Sequence, residues 1–164
     1  MNTYREIVYM ILDLIKLMSD DAYYNEEHVL YLVDKYRMFV LDKKYANKDY
    51  DIPLSNYQTV NVDLTFDGDK LVSVNELPST MNIGIKSVYP LDFFRGTITL
   101  VSKERIKYVG HNKYLQNVIY GTIGNDNKLY LTSSNAQYKY LQQVKYNGIF
   151  ENPRDVNAAN NDGT

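Results

Sequence analysis

The chain has 164 residues, of which 45% are hydrophobic, so it is long enough for one domain with a sizeable core, with or without an appendage. Its formal net charge of −2 and isoelectric point near 5.7 argue against bulk electrostatic capture of a nucleic-acid backbone. It contains no cysteine, which excludes disulfides and thiolate chemistry, while 17 tyrosines favour surfaces that tolerate both water and burial against a partner.

The N-terminal stretch predicts a first amphipathic helix, with Thr3 and Glu6 as a capping box. Charged residues interrupt it too often for a signal peptide or a membrane span, which favours a soluble protein made in a cytoplasm. Apolar residues recur at the i, i+3, i+4, i+7 spacing of a helix. The stripe consists of Ile7, Met10, Ile11, Leu14, Leu17 and Met18.

A second helix is predicted from the N-cap Asn25 to about Leu41, with Glu26 and Glu27 in its first turn. The short connection before it predicts an antiparallel helical hairpin. Neither helix can bury its stripe alone, so each needs the other and a further surface. The second stripe consists of Val29, Leu32, Val33, Tyr36, Phe39 and Val40.

From about residue 52 the apolar period changes to two, which predicts β-strands. Asp67-Gly68-Asp69 and Asn125-Asp126-Asn127 are typical of hairpin turns, and Ser102 can cap a helical turn that ends at Gly110. These patterns predict an α+β fold in which a mostly antiparallel sheet or small β-barrel follows the helical hairpin. The predicted strands are 59–66, 70–77, 96–102, 117–124, 128–134 and 142–150.

The same patterns predict three parts within a single compact protein. A helical hairpin spans residues 1–50, a β-rich region spans residues 51–152, and a polar tail or linker spans residues 153–164. The tail has almost no apolar content, so we expect it to stay mobile unless a partner orders it.

No catalytic, cofactor or metal site is predicted. His28 and His111 stand in no metal-ligand spacing, and no nucleophile elbow or phosphate-binding loop occurs. Asp67-Gly68-Asp69 lacks the further ligand positions of a calcium loop. The sequence therefore favours a protein that is not an enzyme.

One basic stretch, "KERIKYVGHNKYLQN" at residues 103–117, is the candidate contact surface. Residues 86–113 carry a net charge of +4, whereas residues 1–51 carry −3. Three interpretations stay open: a solvated turn and strand edge, a contact with a partner subunit, and a nucleic-acid contact, which the overall charge disfavours. The candidate residues are Lys103, Arg105, Lys107, Tyr108, Lys113 and Tyr114.

Three long stretches of the chain read "YREIVYMILDLIKLMSDDAYYNEEHVLYLVDKYRMFVL", "NIGIKSVYPLDFFRGTITLVSKERIKYVGHNKYLQNVIY" and "LYLTSSNAQYKYLQQVKYNGIFENP". Together they resemble a structural protein of crAss-like tailed bacteriophages, which infect gut Bacteroidales. The resemblance rests on long stretches of similar sequence and not on a chemical motif, so it assigns no catalytic residue to this chain.

The resemblance implies a virion protein at the head–tail junction, assembled in the host cytoplasm. It implies a homo-oligomeric ring, dodecameric by family resemblance, below the portal and around the DNA passage. The implied partners are the portal, other connector or tail proteins and packaged DNA in non-specific proximity, with no membrane and no cofactor. A tail-tube or head-completion protein and a small nucleic-acid-binding module remain the alternatives.

Overall fold

The computed structural model describes residues 4–18, 24–45, 52–91, 98–109, 113–115 and 118–156. The chain divides into two compact units, one over residues 1–52 and one over residues 53–164. The first unit is helical in its described part, and the second carries all the β-strands that the structure describes. The mixed α+β class predicted from the sequence is confirmed.

Two helices, α1 at Tyr4–Met18 and α2 at Glu26–Tyr45, contact each other in the first unit. Asn25 caps α2 as predicted, because its Oδ1 accepts a 3.4 Å hydrogen bond from the Glu27 backbone N–H. The helix runs four residues beyond Leu41, and Lys43 and Lys44 in its last turn complement the negative end of the helix dipole. Thr3, the other half of the predicted capping box, lies outside the described residues.

Neither predicted stripe coincides with the buried face of its helix. On α1 the fully buried residue is Val8, whereas Leu14 and Leu17 of the stripe are exposed. On α2 the stripe residue Val29 is buried, but Tyr36 and Phe39 are exposed. Both helices have apolar residues on more than one side. The spacing of apolar residues therefore predicted a stripe on each helix that is largely exposed in the first unit.

Seven strands form a closed barrel within the described part of the second unit. Around the barrel the order is β1-β2-β6-β5-β4-β3-β7, and β7 pairs with β1 to close it. Of the pairs formed by described residues, β4–β5 is parallel and the others are antiparallel. The strands are β1 Gln58–Asp67, β2 Lys70–Ser73, β3 Thr80–Pro90, β4 Ile98–Leu100, β5 Ile119–Ile123, β6 Leu129–Thr132 and β7 Gln143–Phe150.

Both predicted hairpin turns are confirmed. Asp67 pairs with Lys70 across the β1–β2 turn, and Gly68 between them has a φ of 65°, a left-handed conformation that glycine adopts without a Cβ penalty. In the β5–β6 turn Asn127 has a φ of 54°, which asparagine tolerates better than most residues. The two turns fix the register of the strands that they connect.

No strand is predicted from the sequence over residues 80–90, where the structure has β3. The apolar alternation runs through Met81, Ile83 and Ile85 and then changes phase to Val88. The register of β3 against β7 shifts at this place, between Ile85 and Ser87. A β-bulge inserts an unpaired residue and so breaks the period of two by which a strand is identified.

The predicted strand 70–77 ends early, at Ser73. The Ser73 hydroxyl donates a 2.8 Å bond to the Asn75 carbonyl and accepts a 3.0 Å bond from the Leu129 backbone N–H. Ser73 is buried, and its hydroxyl is the hydrogen-bond partner of the Leu129 N–H and the Asn75 carbonyl at the point where the strand pairing of β2 ends.

The barrel core is lined by inward-facing strand residues and closed by residues from outside the strands. Tyr146 and Phe150 of β7 are fully buried, with ring centroids 5.8 Å apart. Residues 153–156 are helical, and Val156 is part of the core although the sequence analysis assigned this stretch to the polar tail. Residues 157–164 lie outside the described residues. The core contributions from outside the strands are Leu77, Tyr138, Leu141 and Val156.

Candidate interaction surface

The basic stretch belongs to the connection between the two parallel strands, β4 and β5. Parallel neighbours cannot be joined by a tight turn and need a crossover of a dozen or more residues. In the described part of this crossover the chain forms a short helix, α3 at Ile106–Val109, and a 3-10 turn at Lys113–Leu115. The topology of the barrel therefore places the basic stretch outside the sheet.

The predicted helical turn after Ser102 is confirmed. The Ser102 carbonyl accepts hydrogen bonds from the backbone N–H groups of Arg105 at 3.0 Å and Ile106 at 3.2 Å. Ile106 is buried and contributes the apolar contact that fixes α3 on the barrel. Gly110, the predicted end of this turn, lies outside the described residues.

The candidate side chains that the structure describes lie at the surface. Lys103, Arg105 and Lys107 are exposed, and the side chains of Tyr108 and Tyr114 are 80% and 82% exposed. Lys113 stands in the 3-10 turn, and His111 lies outside the described residues. Exposure alone does not distinguish a solvated surface from a contact surface. The positions of the cations relative to the rest of the barrel are therefore needed to choose between these two interpretations.

Two of the candidate cations line a cavity of about 340 Å³ in the second unit. Lys103 and Lys107 belong to the crossover between β4 and β5, and Lys70 is the first residue of β2. Arg105, Tyr108 and Tyr114 are not among its lining residues. The rest of the lining is Ile106, Thr122, Gly124, Asn125, Asp126 and Tyr130.

Sequence reasoning missed Lys70, Asp126 and Tyr130 as members of this site. Lys70 lies 33 positions before Lys103 and follows a tight turn, where a lysine is ordinary. Only the pairing of β2 with β6 and of β6 with β5 brings these segments to the same end of the barrel. No local pattern in the chain indicates that proximity.

The carboxylate of the cavity is already engaged by protein groups. The Tyr130 hydroxyl donates a 2.6 Å bond to Asp126 Oδ2, and the Lys128 backbone N–H donates a 3.3 Å bond to Asp126 Oδ1. The bond from Tyr130 is the main cause that lowers the pKa of Asp126, and the same bond raises the pKa of Tyr130. Asp126 is therefore an ionised group held by Tyr130, set against three lysines.

Glu104, the acid within the basic stretch, is fully exposed and does not line the cavity. Its pKa is lowered by hydrogen bonds from its own backbone N–H and the Ser102 hydroxyl, and further by Lys103 and Lys107 nearby. Three lysines and one aspartate line the cavity and give it an excess of positive charge, and Ile106 and Tyr130 add apolar groups to the lining. Such a site suits an anionic group carried on an apolar stem, as in an acidic side chain of another protein.

Among the described residues, no cluster of histidine, cysteine or carboxylate groups is suited to hold a metal ion. None of the described helices is both long and apolar enough to span a membrane. The cation-lined cavity and the exposed side chains of Tyr108 and Tyr114 are the candidate interaction features of the basic stretch.

Comparison with known proteins gives a family. The family described as phage tail ring protein 2 matches residues 6–164 of the chain. The chain is also similar to "Ring protein 2" of Bacteroides phage crAss001, with 43% identity over 94% of this chain and 73% of that protein. These matches confirm the resemblance to crAss-like phage proteins that the sequence indicated, and the chain belongs to the phage tail ring protein 2 family.

Proposed function

We propose that the chain is a non-enzymatic subunit of a homo-oligomeric ring at the head–tail junction, below the portal and around the DNA passage. The observation that carries this proposal is the match of residues 6–164 to a family of phage tail ring proteins. A dodecamer, the portal and neighbouring connector or tail proteins as partners, and a place in the virion follow from the same family resemblance.

The closed barrel favours an assembly in which neighbouring copies contact each other through side chains and not through pairing of strands. A closed barrel has no unpaired edge strand in its described part, so neighbouring copies cannot join by extending its sheet. Contacts between copies then depend on exposed side chains, and exposed tyrosines such as Tyr108 and Tyr114 suit such contacts because they bury a large ring at a low cost in conformational entropy.

Charge supports a protein contact for the basic cavity. Lys70, Lys103 and Lys107 line the cavity together with the apolar side chain of Ile106, and residues 1–51 of the chain carry a net charge of −3. We infer that the cavity receives an acidic group of a neighbouring protein or copy, and that Arg105 and Lys113 add long-range attraction. We also expect α1 and α2 to be antiparallel, because the connection 19–25 is short.

The decisive experiment measures the mass of the purified full chain by native mass spectrometry, alone and with the portal protein of the same phage. A ring in either condition supports the proposal. A monomer in both conditions contradicts it.

The lysine-lined cavity also favours a second candidate, a small nucleic-acid-binding module. That function predicts a small protein whose DNA affinity falls steeply with salt, because each phosphate contact releases counterions. Fluorescence anisotropy with labelled DNA at two salt concentrations separates this function from the ring.

A further inference from the structure

Helix α1 presents large apolar side chains on a side that its own unit leaves open. Its covered side has Val8 fully buried and Ile11, Leu12 and Ile15 half-buried. At 3.6 residues per turn, another set of apolar residues falls together on a different side of the helix. This set, the α1 aliphatic face, has exposed fractions from 37% to 82% and consists of Ile7, Met10, Leu14 and Leu17.

Helix α2 has a corresponding open side of different composition. Its covered side includes Leu41 and Tyr45, whereas Tyr36 and Phe39, which share another side of the helix with the buried Val29, are 69% and 60% exposed. The Tyr36 and Phe39 rings are neighbours, with centroids 6.3 Å apart. The α2 aromatic face consists of Leu32, Tyr36, Phe39 and Val40.

The two faces differ in the charges that border them. Helical spacing places Glu6 and Asp13 beside the α1 aliphatic face, while Arg5 and Lys16 fall on the opposite side of the helix. Lysines flank the α2 aromatic face: the Lys35 ammonium lies 5.6 Å from the Tyr31 ring centroid, and that of Lys43 lies 5.9 Å from the Phe39 centroid.

These properties make the α1 aliphatic face complementary to the α2 aromatic face. Two copies of the same face are not complementary to each other. Aliphatic and methionine side chains pack well against aromatic rings. Acids bordering one face attract the lysines bordering the other, whereas α1 against α1 would oppose acids and α2 against α2 would oppose lysines. Charge and shape both favour a contact between unlike faces.

A contact between unlike faces of identical chains has a consequence for assembly. Each copy has one α1 face and one α2 face, so each binds two neighbours head to tail, and a closed ring satisfies every face. Monomeric proteins rarely leave apolar patches of more than a few hundred Å² in water, and larger ones mark interaction surfaces. A second copy of this chain therefore matches the open faces in number, composition and charge.

We propose that the α1 aliphatic face of one copy packs on the α2 aromatic face of the next, and that this helix contact joins neighbouring subunits of the ring. The proposal rests on the proposed ring function and adds the surface that builds it.

The test uses cysteine cross-linking in the full chain, which has no native cysteine. Met10→Cys and Leu14→Cys sample the α1 face, and Leu32→Cys and Tyr36→Cys sample the α2 face. Each α1 variant is mixed with each α2 variant under the condition in which the ring forms, and a short bismaleimide is added. Lys16→Cys mixed with Glu27→Cys, on the opposite sides of the two helices, is the matched control.

We expect covalent dimers at least fivefold more abundant in the mixed face pairs than in the control pair and in each variant alone. A strong dimer in a single face variant would indicate pairing of like faces and overturn the proposal. Face pairs that cross-link no better than the control, while native mass spectrometry shows a ring, overturn this contact and leave the ring function standing. A chain that stays monomeric with and without the portal overturns both.

Discussion

The Tyr130 hydroxyl donates a 2.6 Å hydrogen bond to Asp126 Oδ2, and both residues line the cavity with the three lysines. The pair sits in and beside the β5–β6 turn, so it fixes the one carboxylate of the cavity close to the backbone. The lowered pKa of Asp126 means that its bond stabilises the fold above pH 3.8 and is lost as the pH falls through the lower folded value. The raised pKa of Tyr130 means that its contribution is present below pH 10.0 and is lost as the pH rises through the higher folded value.

Tyr130→Phe is expected to raise the pKa of Asp126 towards its ordinary value, because it removes the main hydrogen bond to the ionised carboxylate. The measurement is an NMR titration of the aspartate side-chain carbons in the variant and the native chain. Tyr108→Phe, on exposed α3, is the control and should leave the Asp126 titration unchanged. An unchanged Asp126 pKa in Tyr130→Phe would show that the bond does not control this group.

Tyr138→Phe is expected to lower the free energy of unfolding by about 1 kcal/mol, the usual net value of one hydrogen bond. The Tyr138 hydroxyl donates a 2.6 Å bond to the Asp69 carbonyl, and the side chain is only 3% exposed. Urea denaturation followed by circular dichroism measures the change. Tyr138 and Tyr140 both belong to a 3-10 turn at Ala136–Tyr140, and Tyr140→Phe is the matched control because Tyr140 is 83% exposed. Equal effects from both variants would contradict a specific role of the Asp69 bond.

Val156→Ala is expected to lower the free energy of unfolding by roughly 1–2 kcal/mol, since it removes two buried methyl groups from the barrel core. Val74→Ala removes the same atoms from a side chain that is 49% exposed and should cost much less. Denaturant unfolding of the two variants side by side gives the comparison. A loss no greater in Val156→Ala than in Val74→Ala would mean that residues 153–156 contribute little to the core.

Charge-reversal variants test whether assembly depends on the cavity or on the basic stretch as a whole. Lys103→Glu and Lys70→Glu are each expected to weaken assembly several-fold, because both side chains line the cavity although they lie far apart in sequence. Arg105→Glu changes the same charge outside the cavity and should have a smaller effect. Subunit mass against protein concentration measures assembly, and circular dichroism checks the fold, which exposed charges affect little. Loss caused by Arg105→Glu but not by Lys70→Glu would point to the stretch itself and away from the cavity.

The triple variant Lys103→Glu, Arg105→Glu, Lys107→Glu tests the whole surface. We expect it to block assembly or retention of DNA while the fold stays intact. Normal assembly of this variant, measured by native mass spectrometry, would show that the stretch is solvated surface only.

Much of the fold follows from short-range patterns in the chain. The cap at Asn25 and the turns at Gly68 and Asn127 depend on residues adjacent in sequence, so they were predictable and are confirmed. The class, α+β with a mostly antiparallel sheet or small barrel, follows from the change of apolar period at about residue 52. β3 escaped prediction because its bulge changes the phase of the alternation that reveals a strand.

The sequence by itself determined the two helices, six of the seven described strands, the basic stretch and, by resemblance, the family. Only the tertiary structure decided which sides of the helices are covered, because α1 and α2 have apolar residues on more than one side and spacing does not rank them. It alone brought Lys70 to Lys103 and Lys107, since that proximity depends on the order of strands around the barrel. It also placed Val156 in the core, where one apolar side chain in a polar stretch meets a surface that no local pattern describes.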